Sequence, residues 1–186
     1  IENCRIYNNE CGSGGWGGGV LLQGGGYLRN CLIISNRAAG VCGGLGVNYL
    51  KWKGGEVNSC TIVSNSAATT GGGIYIFEGS PTVAGCVFED NYADFYGGGM
   101  YNESGSPVLT DCVFQGNTGE GASYTYGGGI YNGSGSPVLT DCVFEANSTN
   151  YYGGGMCNYS GSPVLTNCVF EANSATYYGG GMYNYS

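Results

Sequence analysis

The sequence predicts an all-β chain wound as a single-stranded solenoid of short parallel strands, with three sheets, about 26 residues per coil and six to seven coils. Three observations predict it: a cysteine motif that recurs along all 186 residues, glycine clusters in phase with it, and strand-length runs too short for helices.

The motif is Cys-x-[Ile/Phe]-x-x-Asn. It begins at Cys4, Cys31, Cys60, Cys86, Cys112, Cys142 and Cys168, at spacings of 27, 29, 26, 26, 30 and 26 residues. Its last position is Asn9, Asn36, Asn65, Asn91, Asn117, Asn147 or Asn173. The glycine clusters begin at Gly17, Gly43, Gly71, Gly97, Gly127, Gly153 and Gly179. Four copies add a Gly-Ser-Pro turn at residues 79–81, 105–107, 135–137 and 161–163. The extra residues of the two longer copies fall around Lys51-Trp52-Lys53 and Gly119-Glu120-Gly121-Ala122. Insertions that leave the motif intact mark it as the structural frame.

Each copy reads as three strands. In the copy at Gly127 they are 129–132, 138–140 and 142–144. Gly and Pro density excludes helices, so a repeat of this length closes one coil. Coils stacked at about 4.8 Å make a rod roughly 30 Å long. Equivalent side chains then form ladders. Cys and Ile/Phe, two apart, share a face and are placed inside. The residue before each Cys (Asn3, Asn30, Ser59, Gly85, Asp111, Asp141, Asn167) sits at a bend that wants a left-handed backbone. The motif Asn marks the next turn, where its amide can bond to the Asn of the neighbouring coil. The 186 residues thus form one solenoid, less regular over 1–70 and nearly identical from coil to coil over 71–186. They begin and stop mid-coil, which suggests a segment of a longer chain or of a filament.

The pattern Gly-Gly-Gly-[Ile/Met]-Tyr-Asn followed by Ser-Pro-x-Leu-Thr-[Asn/Asp]-Cys-x-Phe-x-x-Asn resembles the right-handed parallel β-helix repeats of bacterial surface proteins. These are the polymorphic outer-membrane protein and autotransporter-adhesin type, within the pectate-lyase-like superfamily. The resemblance spans essentially the whole chain. It implies a right-handed coil at the cell surface or outside the cell, and little about activity, because fold does not set function. Early copies depart from it: Leu22 and Ile76 replace the strand Asn, and Gly46 replaces the Ile/Met. The rival leucine-rich repeat needs L-x-x-L-x-L-x-x-N, which is absent.

Composition narrows the chemistry. The chain has no His, which removes Ser–His–Asp triads, Cys–His pairs and His-ligated zinc. A net charge of −8 argues against nucleic acid. No apolar run is long enough to insert in a membrane. All five basic residues (Arg5, Arg29, Arg37, Lys51, Lys53) precede residue 54, which argues against an acidic-polysaccharide lyase. The row Glu89, Gln115, Glu145, Glu171 follows from repetition rather than from a catalytic pair. No cofactor is expected beyond calcium bound weakly by carboxylates such as Glu89, Asp90 and Asp94.

Two groups remain as candidates. Tyr75, Tyr101, Tyr131 and Tyr183 share one strand position, interrupted by Cys157; Trp16, Tyr96, Tyr126, Tyr152 and Tyr178 share the position before the glycines. If Ile130 and Asn132 face inward, the Tyr column faces outward as an aromatic stripe suited to sugars or to a protein partner. The other group is cysteine. The seven motif cysteines are expected to be core thiols, while Cys11 and Cys42, in comparable loops, are candidates for a disulfide. Asn-x-Ser/Thr occurs at Asn102, Asn132, Asn147, Asn158 and Asn184. The expected function is that of a non-catalytic extracellular structural or adhesive solenoid. Its expected partners are further copies, neighbouring surface proteins or glycans. The alternative is a scaffold segment of a carbohydrate-active or glycan-binding protein.

Overall fold

The computed structural model describes residues 1–48, 55–121 and 124–185, and every regular element among them is a strand. The Lys51-Trp52-Lys53 loop lies outside the described residues. Strands one coil apart pair in parallel, in unbroken register. Phe88 stands against Phe114, Phe114 against Phe144, and Phe144 against Phe170.

There are four sheets rather than three. The first holds seven strands, such as Ile130–Asn132; the second holds six, such as Val138–Thr140; the third holds seven, such as Val143–Glu145. The fourth consists of seven two-residue strands, from Glu10–Cys11 to Ser174–Ala175. It forms because the chain runs extended for two residues after each motif Asn before it reaches the glycines. Its inward residue is small (Ala38, Ala67, Ala93), since the corner is narrow. Two residues are too few to show a period of two.

The bends follow from backbone sterics. All seven residues before the motif Cys have positive φ, from Asn30 at 50° to Gly85 at 58°. A second left-handed row stands just before the motif Asn: Asn8, Ser35, Ser64, Asp90, Gly116, Ala146 and Ala172. A third is the first glycine of each cluster, for example Gly97 at φ 64°. The second glycine is needed for a different reason: a Cβ on Gly98 would lie 2.4 Å from the Thr118 carbonyl oxygen and 2.7 Å from that of Gly128. Register corrects two positions. Gly46 stands opposite Tyr75 and so replaces the strand Tyr, while Leu45, opposite Ile74, holds the Ile/Met position. The coil-equivalent of Gly17 and Gly71 is Cys42, not Gly43: its carbonyl accepts from Gly18 N–H and its own N–H donates to Thr70. Cys42 holds φ 66°.

The interior is a set of columns. Leu139, Cys142 and Phe144 are fully buried, as are their equivalents one coil earlier, Leu109, Cys112 and Phe114. The Phe rings stack face to face at 4.6, 5.1 and 4.5 Å between centroids, within 6° of parallel. The motif Asn side chains from Asn36 to Asn147 are also buried, and the row from Asn9 to Asn173 forms a continuous amide ladder. Asn91 Nδ2 donates to Asn117 Oδ1 at 3.0 Å and to the Ile62 carbonyl at 2.8 Å, while Asn91 Oδ1 accepts from the Asn65 backbone and side chain, both at 3.0 Å. Each buried amide is thereby satisfied, which is the condition for placing one inside. A shorter ladder, Asn102–Asn132–Asn158–Asn184, runs up the first sheet at 2.6–2.7 Å per step.

Candidate functional site

The outer face of the first sheet carries the aromatic residues. Parallel register sets Leu21, Gly46, Tyr75, Tyr101, Tyr131, Cys157 and Tyr183 in one outward column. Single bridges set Tyr96, Tyr126, Tyr152 and Tyr178 in a second column, and Trp16 occupies the same position opposite Val41. A third column follows the ladder Asn and contains Phe77, Tyr159 and Tyr185. Ile130 and Asn132 do face inward, so Tyr131 points out.

Outward does not mean exposed. Tyr75 and Tyr131 retain only 4% and 8% of their accessible surface, because other rings cover them. Trp16 meets Tyr75 edge-on at 5.1 Å; Tyr96 and Tyr101 lie 4.7 and 5.4 Å from Tyr131. Tyr75 and Tyr131 therefore support the face and are not themselves available to a partner. Burial pushes the phenols up: Tyr101 to about 12, and Tyr75 further, where its hydroxyl also donates to Glu103 Oε2. The exposed surface comes from Tyr124, Tyr159, Tyr177, Tyr178 and Tyr185. Of these, sequence spacing singled out only Tyr178. The others belong to rows with few aromatic copies, so repetition does not flag them; the signals are the doublets Tyr151-Tyr152 and Tyr177-Tyr178.

The cysteines behave as core. All ten are free thiols, and seven are buried. Within the motif column each Sγ points at carbonyls, as Cys86 Sγ does at Val57 O (3.3 Å) and Ala84 O (3.4 Å). The Cys11–Cys42 disulfide is not formed, because the two do not occupy comparable positions. Cys11 lies in a fourth-sheet strand opposite Ala38, whereas Cys42 sits in the glycine turn. A Cβ on Gly46 would meet Leu21 Cδ1 at 2.9 Å, with Cys42 Sγ next at 3.5 Å, an ordinary contact distance. Burial raises the Cys42 thiol far above its ordinary value.

Glu89, Gln115, Glu145 and Glu171 do stand in register along the third sheet. Among the described residues, no three His, Cys, Asp or Glu side chains gather as ligands for one metal ion. The early cations are taken up locally: Arg29 contacts Glu56 at 2.6 Å and Glu2 at 3.8 Å, and Arg37 contacts Glu10 at 2.8 Å. Asn102, Asn132, Asn147 and Asn158 are fully buried ladder members, so those four Asn-x-Ser/Thr sites cannot accept a glycan on the folded chain.

The family model described as "Right handed beta helix region" matches residues 43–186. No curated protein and no solved structure matches the chain.

Proposed function

The chain belongs to the right-handed β-helix family, and from that premise we propose that it is a non-catalytic extracellular solenoid with a structural or adhesive role. In this reading the tyrosine face is its contact surface. The observation that carries it is the continuity of that face. Rings from three columns touch one another from Trp16 to Tyr185, with Tyr124, Tyr177 and Tyr178 more than half exposed at its margin. Tyrosine presents a large rigid ring at little entropic cost and keeps a polar tip for water or a partner. The rod supplies spacing and stiffness: Tyr75, Tyr101 and Tyr131 stand on strands paired on both sides.

The acidic row supports a non-catalytic reading. Acid/base chemistry needs two carboxylates whose surroundings drive their pKa values apart, whereas repetition gives Glu145 and Glu171 like positions. The partners proposed for the face are further copies of the chain, neighbouring surface proteins or glycans. Glycan binding, as part of a carbohydrate-active protein, is the second reading, favoured by the same rings.

The test is retention of the chain on an immobilised layer of itself and on immobilised neutral polysaccharide. The double variant Tyr124→Ser/Tyr177→Ser removes two exposed rings and no interior contact. It should weaken retention on one of the two layers by roughly tenfold, a loss of about 1.4 kcal/mol. Unchanged retention of the double variant on both layers would remove the face from the function.

A further inference from the structure

The outward tyrosine column has one gap. Where Tyr75, Tyr101, Tyr131 and Tyr183 stand, the coil at residues 153–158 has Cys157, fully buried beneath its neighbours. A missing ring leaves a hollow, and the surrounding rings wall it. The cleft there has a volume of about 260 Å³ and is lined by Tyr126, Tyr151, Tyr152, Tyr159, Tyr183 and Tyr185. The rings do not form a flat stack. Tyr126 stands at 84° to Tyr151 and 70° to Tyr152. Tyr183 lies 30° from Tyr152 at 4.5 Å, and Tyr159 and Tyr185 stack at 5.4 Å. The lining rings thus stand at several orientations around the cleft.

The lining decides which occupant. It contains no carboxylate, amide or guanidinium, and its only polar side-chain atoms are phenol hydroxyls. A sugar needs matched donors and acceptors for several hydroxyls, and a cleft of this make-up offers few. Ring faces carry negative quadrupole charge and attract cations. The surrounding chain adds to this: eleven of the thirteen acidic residues and none of the five basic ones lie beyond residue 53. A primary ammonium would hold its water tightly, whereas a quaternary ammonium is weakly hydrated and offers methyl groups that pack on rings. Burial, then neighbouring phenols and the Cys157 thiol, push the Tyr126 and Tyr183 hydroxyls up.

We propose that the tyrosine-walled cleft over Cys157 is a binding site for an organic cation of the quaternary ammonium class. The proposal rests on the tyrosine face being the contact surface, and it names the chemistry that one part of that face recognises.

The test titrates the chain with choline, with its uncharged isostere 3,3-dimethylbutan-1-ol, and with methyl glucoside, following tyrosine ring signals by NMR. Choline should saturate and shift the rings of the cleft. It should bind roughly tenfold or more tightly than the isostere, and methyl glucoside should bind more weakly than choline. Cys157→Tyr restores the residue found in the neighbouring coils and fills the hollow. It should fold with an unchanged circular dichroism spectrum and lose choline binding. Tyr152→Leu should weaken choline about tenfold while leaving the isostere within about twofold. Absence of saturable choline binding, equal affinity for the isostere, tighter binding of the glucoside, or full binding by folded Cys157→Tyr would each overturn the proposal. The wider reading fails separately, through unchanged surface retention of Tyr124→Ser/Tyr177→Ser, since neither residue lines the cleft.

Discussion

Asn102 shows how the stack assigns a cost to one residue. Its Nδ2 donates to Asn132 Oδ1 at 2.6 Å and to the Gly105 carbonyl at 2.9 Å, but its Oδ1 is buried without a partner. The reason is the coil before it, which has Ile76 in the ladder position. The ladder must end on an orphan carbonyl, and Asn102 is that end. Asn102→Ile therefore moves the orphan to Asn132 without adding one. Asn132→Ile breaks the ladder in the middle and strands Asn158 Oδ1 as well. Urea unfolding should show Asn132→Ile to be more destabilising by about 1–3 kcal/mol, the cost of one further unsatisfied buried group; equal losses would contradict it. Ala146 makes a second case. It holds φ 51° in a row where, Ala172 apart, the other coils use Asn, Asp, Ser or Gly. Ala146→Gly should raise stability by about 0.5–1 kcal/mol, because relief of left-handed strain exceeds the entropy cost of glycine.

At the scale of the element, three of the four sheets were legible in the sequence and one was not. Runs such as Val-Leu-Thr and Val-Phe-Glu announce strands, and the Cys-x-Phe spacing placed both side chains inside, where Cys142 and Phe144 are found. The left-handed bend before Cys was legible because Asn, Asp and Gly tolerate it. The fourth sheet was not, since its strands span two residues and show only a small inward residue after the ladder Asn. The tyrosine face was legible as columns but not as surface: spacing cannot say that Tyr131 is covered while Tyr159 is open. Cys42 is a further limit, because the glycine spacing points to Gly43, whereas the left-handed position of that coil is held by a cysteine. The glycine triplet makes the sharpest prediction at this scale. Gly98→Ala brings a Cβ onto two backbone carbonyls that cannot yield. It should cost about 2 kcal/mol or more in urea unfolding, whereas the same change at Gly12, where nothing lies within 4 Å, should cost less than about 1 kcal/mol.

Over the whole molecule, the buried thiols and phenols link folding to pH. Burial pushes Cys157 and Tyr101 each up to about 12, against unfolded values near 8.5 and 10. Both groups are neutral when protonated, so the folded chain keeps its protons to higher pH than the unfolded chain does. Their contribution is complete below the unfolded values and is lost as pH rises from about 8.5 toward 12. The melting temperature should thus fall steadily above about pH 9, by roughly 10 °C or more by pH 11. A flat profile from pH 8 to 11 would mean that these groups are open to water. Thiol labelling at pH 8 should agree. Cys4, Cys11 and Cys168 are the three thiols not buried and should react in the folded chain, while the other seven wait for denaturant.

Stacking in register underlies the Asn ladders, the continuous tyrosine face and the cleft over Cys157 alike. It is tested most directly by through-space NMR contacts between coils. The Phe114 ring should show contacts to both Phe88 and Phe144, 26 and 30 residues away in sequence, and the Val113 strand should show parallel-sheet contacts to the Val143 strand. Absence of these contacts in the folded chain, or sequential contacts of helical type through residues 108–119, would contradict it.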